Sequence, residues 1–172
     1  MKLLNYFIIY DECCFYEIVI LSYFLNFTKQ KIKFCTLSGN SIKCMEGFHV
    51  DCDLSFEEID ITTAKSIILT GGNINNVKSE KLTKLLQIAN SRGILIGAIC
   101  AGVDLLDDAE ILHSICSTHS KDMDVVSDYN IITARANAYV DFAIEVAKKL
   151  DLFKDENDLQ ETIDFWKYHK RM

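Results

Sequence analysis

Two short runs, Ser66-Ile67-Ile68-Leu69-Thr70 and Ile94-Leu95-Ile96-Gly97-Ala98-Ile99, are apolar without alternation, and nothing else in the chain constrains its fold as much. A strand with one solvated face alternates polar and apolar side chains, so an unbroken run predicts a strand covered on both faces, as in the middle of a parallel sheet. Two parallel neighbours need a crossover between them. Leu82, Leu85, Leu86 and Ala89 supply it, at the i, i+3, i+4, i+7 spacing of an apolar helical stripe.

The same alternation continues toward both ends. Residues 3–10 predict a strand, 13–26 a helix with a stripe of Phe15, Val19, Ile20 and Phe24, and 31–37 a second strand. Between Ser41 and Asp53, a Glu46-Gly47 turn followed by alternating residues through Phe48, Val50 and Cys52 predicts a half-exposed hairpin. Ser55 to Glu58 matches a capping box and predicts a short helical turn. A short strand is expected over 130–133, then a helix marked by Val140, Ile144, Ala147 and Leu150, and a last helix over about 156–168 with Leu159, Ile163 and Trp166 on one face. These repeated units predict a doubly wound α/β fold, a three-layer αβα sandwich around a mostly parallel sheet, with sites at the carboxyl ends of the strands. No linker, repeat or composition break interrupts 1–172, so a single domain is expected.

Charge and composition narrow the functions. With 25 acidic against 18 basic residues the net charge is -7, which lacks the positive surface that nucleic-acid binding requires. Nucleic acid is not an expected partner. The run Ile18 to Leu25 is far shorter than the roughly 20 residues of a membrane span, and Asp11 and Glu12 interrupt the apolar start before a signal-peptide cleavage site could follow. A cytoplasmic, membrane-free protein is expected. Its seven cysteines are an odd number in a chain long enough to fold without staples, so they are expected as free thiols in a reducing compartment. No dinucleotide fingerprint or phosphate loop is present, and no cofactor is expected. His113, Cys116 and His119 have ligand-like spacing but no fourth partner in a zinc framework, so no metal is expected either.

The second apolar run ends in Cys100-Ala101-Gly102 and leads into a helix beginning at Val103, the layout of a nucleophile elbow. Gly97 and Gly102 would let the turn approach neighbouring backbone. The first amides of that helix would favour thiolate over thiol at Cys100; the alternative is a small buried hydrophobe. The first run ends in Thr70-Gly71-Gly72-Asn73, whose unobstructed amides could form an oxyanion hole, Gly72 pairing with Ala101. A plain turn is the competing reading. Glu17, among Tyr16, Ile18 and Val19, is expected to be buried and protonated, able to donate to a thiolate or shuttle a proton. Glu12 is its rival. His119, after the elbow helix, is a candidate base for Cys100, against the commoner role of a packing histidine.

In this order, Tyr10-Asp11 through Glu17, Thr70-Gly71-Gly72, Ala98-Ile99-Cys100-Ala101-Gly102 and Thr118-His119 resemble the ThiJ/PfpI superfamily, which includes the Parkinson-disease-associated protein deglycase. Ile131 to Arg135 and Tyr139 to Ala143 are similar to the family's last strand and the start of its last helix, so the resemblance covers nearly the whole chain. It implies a flavodoxin-like sandwich, commonly a homodimer, with Cys100 as the elbow cysteine, Glu17 as the acid bonded to it, the Gly72 and Ala101 amides as oxyanion donors, and His119 where many members carry their histidine. The chain departs from the pattern at Asn73, at Glu110, where relatives usually carry glycine, and at Ala136-Asn137-Ala138, which lacks the usual glycines. The resemblance implies a cysteine-dependent enzyme on small carbonyl or amide-like compounds, of glyoxalase, deglycase or related hydrolase type. A non-catalytic redox sensor or chaperone with an oxidisable cysteine is the alternative, and an intracellular peptidase comes third. A glutamine amidotransferase would need a downstream His-x-Glu pair that is missing.

Overall fold

The computed structural model describes residues 3–171; Met1, Lys2 and Met172, part of the expected single domain, lie outside the described residues. The chain runs β1 (Leu4–Ile8), α1 (Tyr16–Phe27), β2 (Lys31–Thr36), β3 (Ile42–Lys43), β4 (His49–Val50), β5 (Leu54–Ser55), β6 (Ala64–Leu69), α2 (Glu80–Ser91), β7 (Leu95–Ile99), α3 (Gly102–Asp108), β8 (Val125–Asp128), β9 (Ile131–Ala134), α4 (Tyr139–Lys149) and α5 (Glu156–Trp166). Seven strands form one sheet in the order β5-β2-β1-β6-β7-β9-β8. All neighbours are parallel except β8, which closes one edge antiparallel to β9. Helix α1 packs on α4, and α4 on α5, while α2 packs on α3. This is the mostly parallel, helix-flanked sandwich expected of the sequence.

The two unbroken apolar runs are β6 and β7, side by side in the middle of the sheet; Ser66–Leu69 and all of β7 are buried. From β1 the chain moves to β2 on one side and later returns to β6 on the other, so strand order reverses beside β1. Ligand sites of open α/β sheets lie in the crevice at such a reversal.

Several local expectations need correction. Helix α1 starts at Tyr16 rather than residue 13, because Glu12 takes a left-handed φ of +60° and the following residues pair with other segments. The Glu12 N–H donates to the Lys43 carbonyl (2.8 Å), and the Cys14 N–H to that of Gly71 (2.9 Å). The buried face of α1 is Glu17, Ile18, Leu21, Phe24 and Leu25, leaving Val19 44% exposed. Periodicity misplaced this stripe because the helix is apolar nearly all round. The hairpin expected over 41–53 is present as β3 paired with β4, outside the main sheet, with Phe48 exposed. Gly97 lies within β7, under Ile68 and the Phe142 ring, and takes no part in the elbow; Gly102 does, against the Leu69 and Thr70 carbonyls. Strand β8, half-buried and four residues long, was too short to show a period of its own.

Candidate active site

Parallel strands β1, β6 and β7 all end at the same edge, so the segments that follow them converge. Cys100 follows β7 with φ +58°, a left-handed conformation that costs a residue bearing a side chain about 1–2 kcal/mol. It is the strained turn expected of an elbow. The Cys100 N–H donates to the Ala134 carbonyl (2.9 Å), which fixes the turn to the end of β9. The side chain lies over Gly71: a Cβ added there would stand 2.6 Å from the Cys100 Cβ and 2.8 Å from its Sγ. Only glycine fits.

Glu17 is 1% exposed. One carboxyl oxygen, Oε2, accepts from the Gly71 N–H (2.6 Å) and lies 2.9 Å from the Thr70 hydroxyl. The other, Oε1, is buried with no hydrogen-bond partner among the described residues, and the Cys100 thiol neighbours the carboxyl. Burial pushes the Glu17 carboxyl above its ordinary value, outweighing the pull of Gly71, Thr70 and Cys100. Proton counting agrees. The Thr70 hydroxyl also lies 2.6 Å from the Cys14 carbonyl oxygen, which can only accept, so one hydroxyl proton faces two acceptors unless Glu17 brings a proton of its own.

An acid held above its ordinary value makes stability depend on pH. The contribution is fully present below 4.5, the carboxyl's ordinary value, and is lost as pH rises through the higher folded value, because the folded state must then ionise a buried group. Glu17→Gln, which cannot ionise, is expected to gain thermal stability relative to the parent as pH increases from 5 to 9. A constant difference in melting temperature across that range would mean that Glu17 is ionised in the fold throughout.

Burial also pushes the Cys100 thiol above its ordinary value, with Glu17 charge acting in the same direction and the Ala101 N–H against it. The positive helix end expected to favour thiolate therefore does not prevail by itself, and α3 has only seven residues. Ionisation of the sulfur is easiest while Glu17 keeps its proton.

Gly72 has φ +117° and bridges Cys13 in antiparallel fashion. Among the described residues neither its N–H nor that of Ala101 has a backbone acceptor. His119 is exposed, and its Nε2 lies 3.1 Å from Asp104 Oδ1 in the first turn of α3; no hydrogen bond joins it to Cys100. Glu12 is exposed and accepts from the side chains of Asn73 (2.7 Å) and Asn76 (3.1 Å), so Glu17 is the buried acid. The structure thus brings Cys100, Glu17, Gly72 and Ala101 together after β1, β6 and β7, and pairs His119 with Asp104 rather than with the sulfur. Among the described residues no three His, Cys, Asp or Glu side chains converge as a metal ion would need.

Sequence reasoning missed three neighbours. The Tyr10 hydroxyl donates to the Thr70 carbonyl (2.8 Å) and holds the β6 loop from beneath. Thr70 supplies the hydroxyl described above. Cys14 is half-buried beside Glu17 and Cys100. Only the local richness in Cys and Tyr between residues 10 and 16 could have drawn notice to Tyr10 and Cys14.

The model of the DJ-1/PfpI family matches residues 5–149. The chain belongs to this family. A relative in Bacillus subtilis (strain 168), described as the uncharacterized protease YoaZ, is 28% identical over 143 residues, 71% of this chain and 68% of that protein. A DJ-1 superfamily protein of Agrobacterium tumefaciens superposes with a TM-score of 0.87 at 22% identity, covering 99% of this chain and all of that one. Drosophila melanogaster DJ-1beta superposes at 0.80 with 23% identity, covering 95% and 97%. A Bacillus anthracis thiJ/pfpI family protein superposes at 0.84 with 22% identity, covering 98% and 91%. At these identities the structures show a shared fold. Among the described residues of this family member, no helix is long and apolar enough to cross a membrane.

Proposed function

We propose that this DJ-1/PfpI family protein is a cysteine-dependent enzyme acting on small carbonyl or amide-like compounds, of glyoxalase, deglycase or related hydrolase type. The observation that carries the reading is the unpartnered Glu17 Oε1, buried against a half-exposed cysteine on a strained turn. A fold does not leave a buried carboxyl oxygen unbonded without a reason, and a sulfur that gains and loses charge supplies one. With its proton on Oε1, Glu17 supports a thiolate; with the proton on Oε2, it serves Thr70.

In this reading the Cys100 sulfur adds to an electrophilic carbon, and the carbonyl oxygen gains negative charge between the Gly72 and Ala101 N–H groups. Glu17 gives its proton to that oxygen and recovers one as product forms. His119, held by Asp104, exchanges protons with solvent at the mouth of the site. The substrate is small, the expected assembly is a homodimer, and the expected compartment is the cytoplasm, where seven free thiols stay reduced. Exposed Tyr16, Val19, Tyr23 and Phe27 on α1 offer apolar surface for a second copy to cover.

The test is a panel of small carbonyls, methylglyoxal first, with disappearance of substrate followed against an equal concentration of free thiol. Turnover well above the free thiol is expected. Rates equal to it across the panel would discard the enzyme and favour the non-catalytic redox sensor or chaperone. Hydrolysis confined to peptides would favour the intracellular peptidase, in keeping with the protease name of the Bacillus subtilis relative.

A further inference from the structure

Cys14 is the group in this neighbourhood that the proposed reaction does not use. Cys13, Cys35 and Cys44 are buried, while Cys14 and Cys100 are both half-exposed. The two are joined through one residue. The Cys14 N–H donates to the Gly71 carbonyl (2.9 Å), and the Cys100 side chain lies against the Gly71 α-carbon, where a Cβ would be 2.8 Å from Sγ. Residue 71, which has no side chain, therefore touches both cysteines, and the Cys14 thiol feels the charge of Cys100. The Cys14 carbonyl is tied to the Thr70 hydroxyl (2.6 Å), which also meets Glu17, so Cys14, Glu17 and Cys100 surround the same short segment.

We infer that Cys14 is a resolving cysteine: after a hydroperoxide oxidises Cys100 to a sulfenic acid, Cys14 closes an intramolecular disulfide with it. The proposal rests on the reading of Cys100 as a reactive thiol and adds a second thiol to that site. In the first step the sulfur attacks the peroxide, the O–O bond breaks, and one oxygen stays on sulfur while the other leaves as an alcohol or water. In the second the Cys14 sulfur attacks the Cys100 sulfur, the S–S bond forms and the S–O bond breaks. The departing hydroxide takes a proton from Glu17, which the proton lost by Cys14 replaces, so one water is released. A dithiol reductant returns both thiols. The unpartnered Glu17 Oε1 is the group placed to protonate the leaving oxygen. Burial and the charges of Glu17 and Cys100 push the Cys14 thiol up to about 11, so it stays protonated at rest. The consequence is protection, since a disulfide cannot advance to the irreversible sulfinic and sulfonic acids.

The experiment uses the whole chain carrying Cys116→Ser, which removes the exposed thiol able to link two molecules. It is treated with one equivalent of hydrogen peroxide, alkylated and digested for mass spectrometry. The expected product is a Cys14–Cys100 cross-linked peptide that dithiothreitol reverses. In a Cys14→Ser companion the expected product at Cys100 is instead sulfinic acid, accumulating at least several-fold above the level in the Cys14-containing protein. Oxygen added at Cys100 with Cys14 still open to alkylation would overturn the resolving role and leave the reactive cysteine standing. A Cys100 that gains neither oxygen nor partner would overturn both. Comparable far-ultraviolet spectra and melting of the two proteins before oxidation establish that the companion is folded.

Discussion

Cys100→Ala is expected to lower turnover of any substrate found in the carbonyl panel by about 10³-fold or more, because deleting a nucleophile leaves only binding and oxyanion contacts to act on the substrate. The fold should survive the change. Cys100 already pays the conformational cost of φ +58°, and alanine at the same angle bears a similar strain. The side chain is half-exposed, so removing one sulfur opens little buried cavity. Cys116→Ala is the control. Cys116 is exposed and holds its place through its backbone N–H, which donates to Asp128 (2.7 Å), so its sulfur can be removed without disturbing the elbow. Steady-state rates of both variants decide the matter. Equal loss in the two would mean general damage, and an undiminished rate for Cys100→Ala would discard the sulfur as the attacking group.

The parts of this site that were visible in the sequence are those made by backbone and by unbroken hydrophobic runs. β6 and β7 could be placed in the middle of the sheet because a strand buried on both faces has no polar positions to alternate. Once they are parallel neighbours, their ends must meet, and Thr70-Gly71-Gly72 and Cys100-Ala101 meet for that reason alone. Side-chain direction was not visible in the same way. The apolar neighbours of Glu17 predict its burial, yet the stripe of Phe15, Val19, Ile20 and Phe24 shares only Phe24 with the buried face of α1, since a helix rich in Ile, Leu, Phe and Tyr on every side has no distinct period. His119 shows the opposite failure. Its place in the chain suits a base, but the orientation of its ring depends on Asp104, fifteen positions away on another element, and sequence spacing carries no information about that contact. Departures from the family pattern became intelligible only with backbone angles: Glu110 stands at φ +60°, just where a helix end favours the glycine that relatives carry, and Asn73 spends its side chain on holding Glu12.

The second large effect is on stability, and it tests whether the loop after β6 is built around a missing side chain. Gly72→Ala is expected to cost about 3–5 kcal/mol, combining the strain of a left-handed backbone with overpacking. At φ +117° the new Cβ would stand 2.2 Å from the Glu12 carbonyl oxygen, 2.7 Å from the Cys13 α-carbon and 3.0 Å from the Cys14 nitrogen. These are backbone atoms, which cannot turn aside as the tip of a side chain can. The loop would have to separate from the segment before α1, breaking the Cys13 bridge and the bond from the Asn73 N–H to Glu12 (3.0 Å). For a chain of this size the loss corresponds to a fall in melting temperature of roughly 10 °C. Gly47→Ala separates the two contributions, since Gly47 has φ +93° but nothing within 4 Å of an added Cβ, so it should cost only about 1 kcal/mol. If the two variants melt together, the close approach of the β6 loop to the start of α1 contributes nothing. If Gly72→Ala alone melts early, and its folded fraction at low temperature also loses the Glu17-dependent rise in stability toward acid pH, then the same packing that excludes a methyl group at residue 72 is what holds the buried carboxyl against the cysteine.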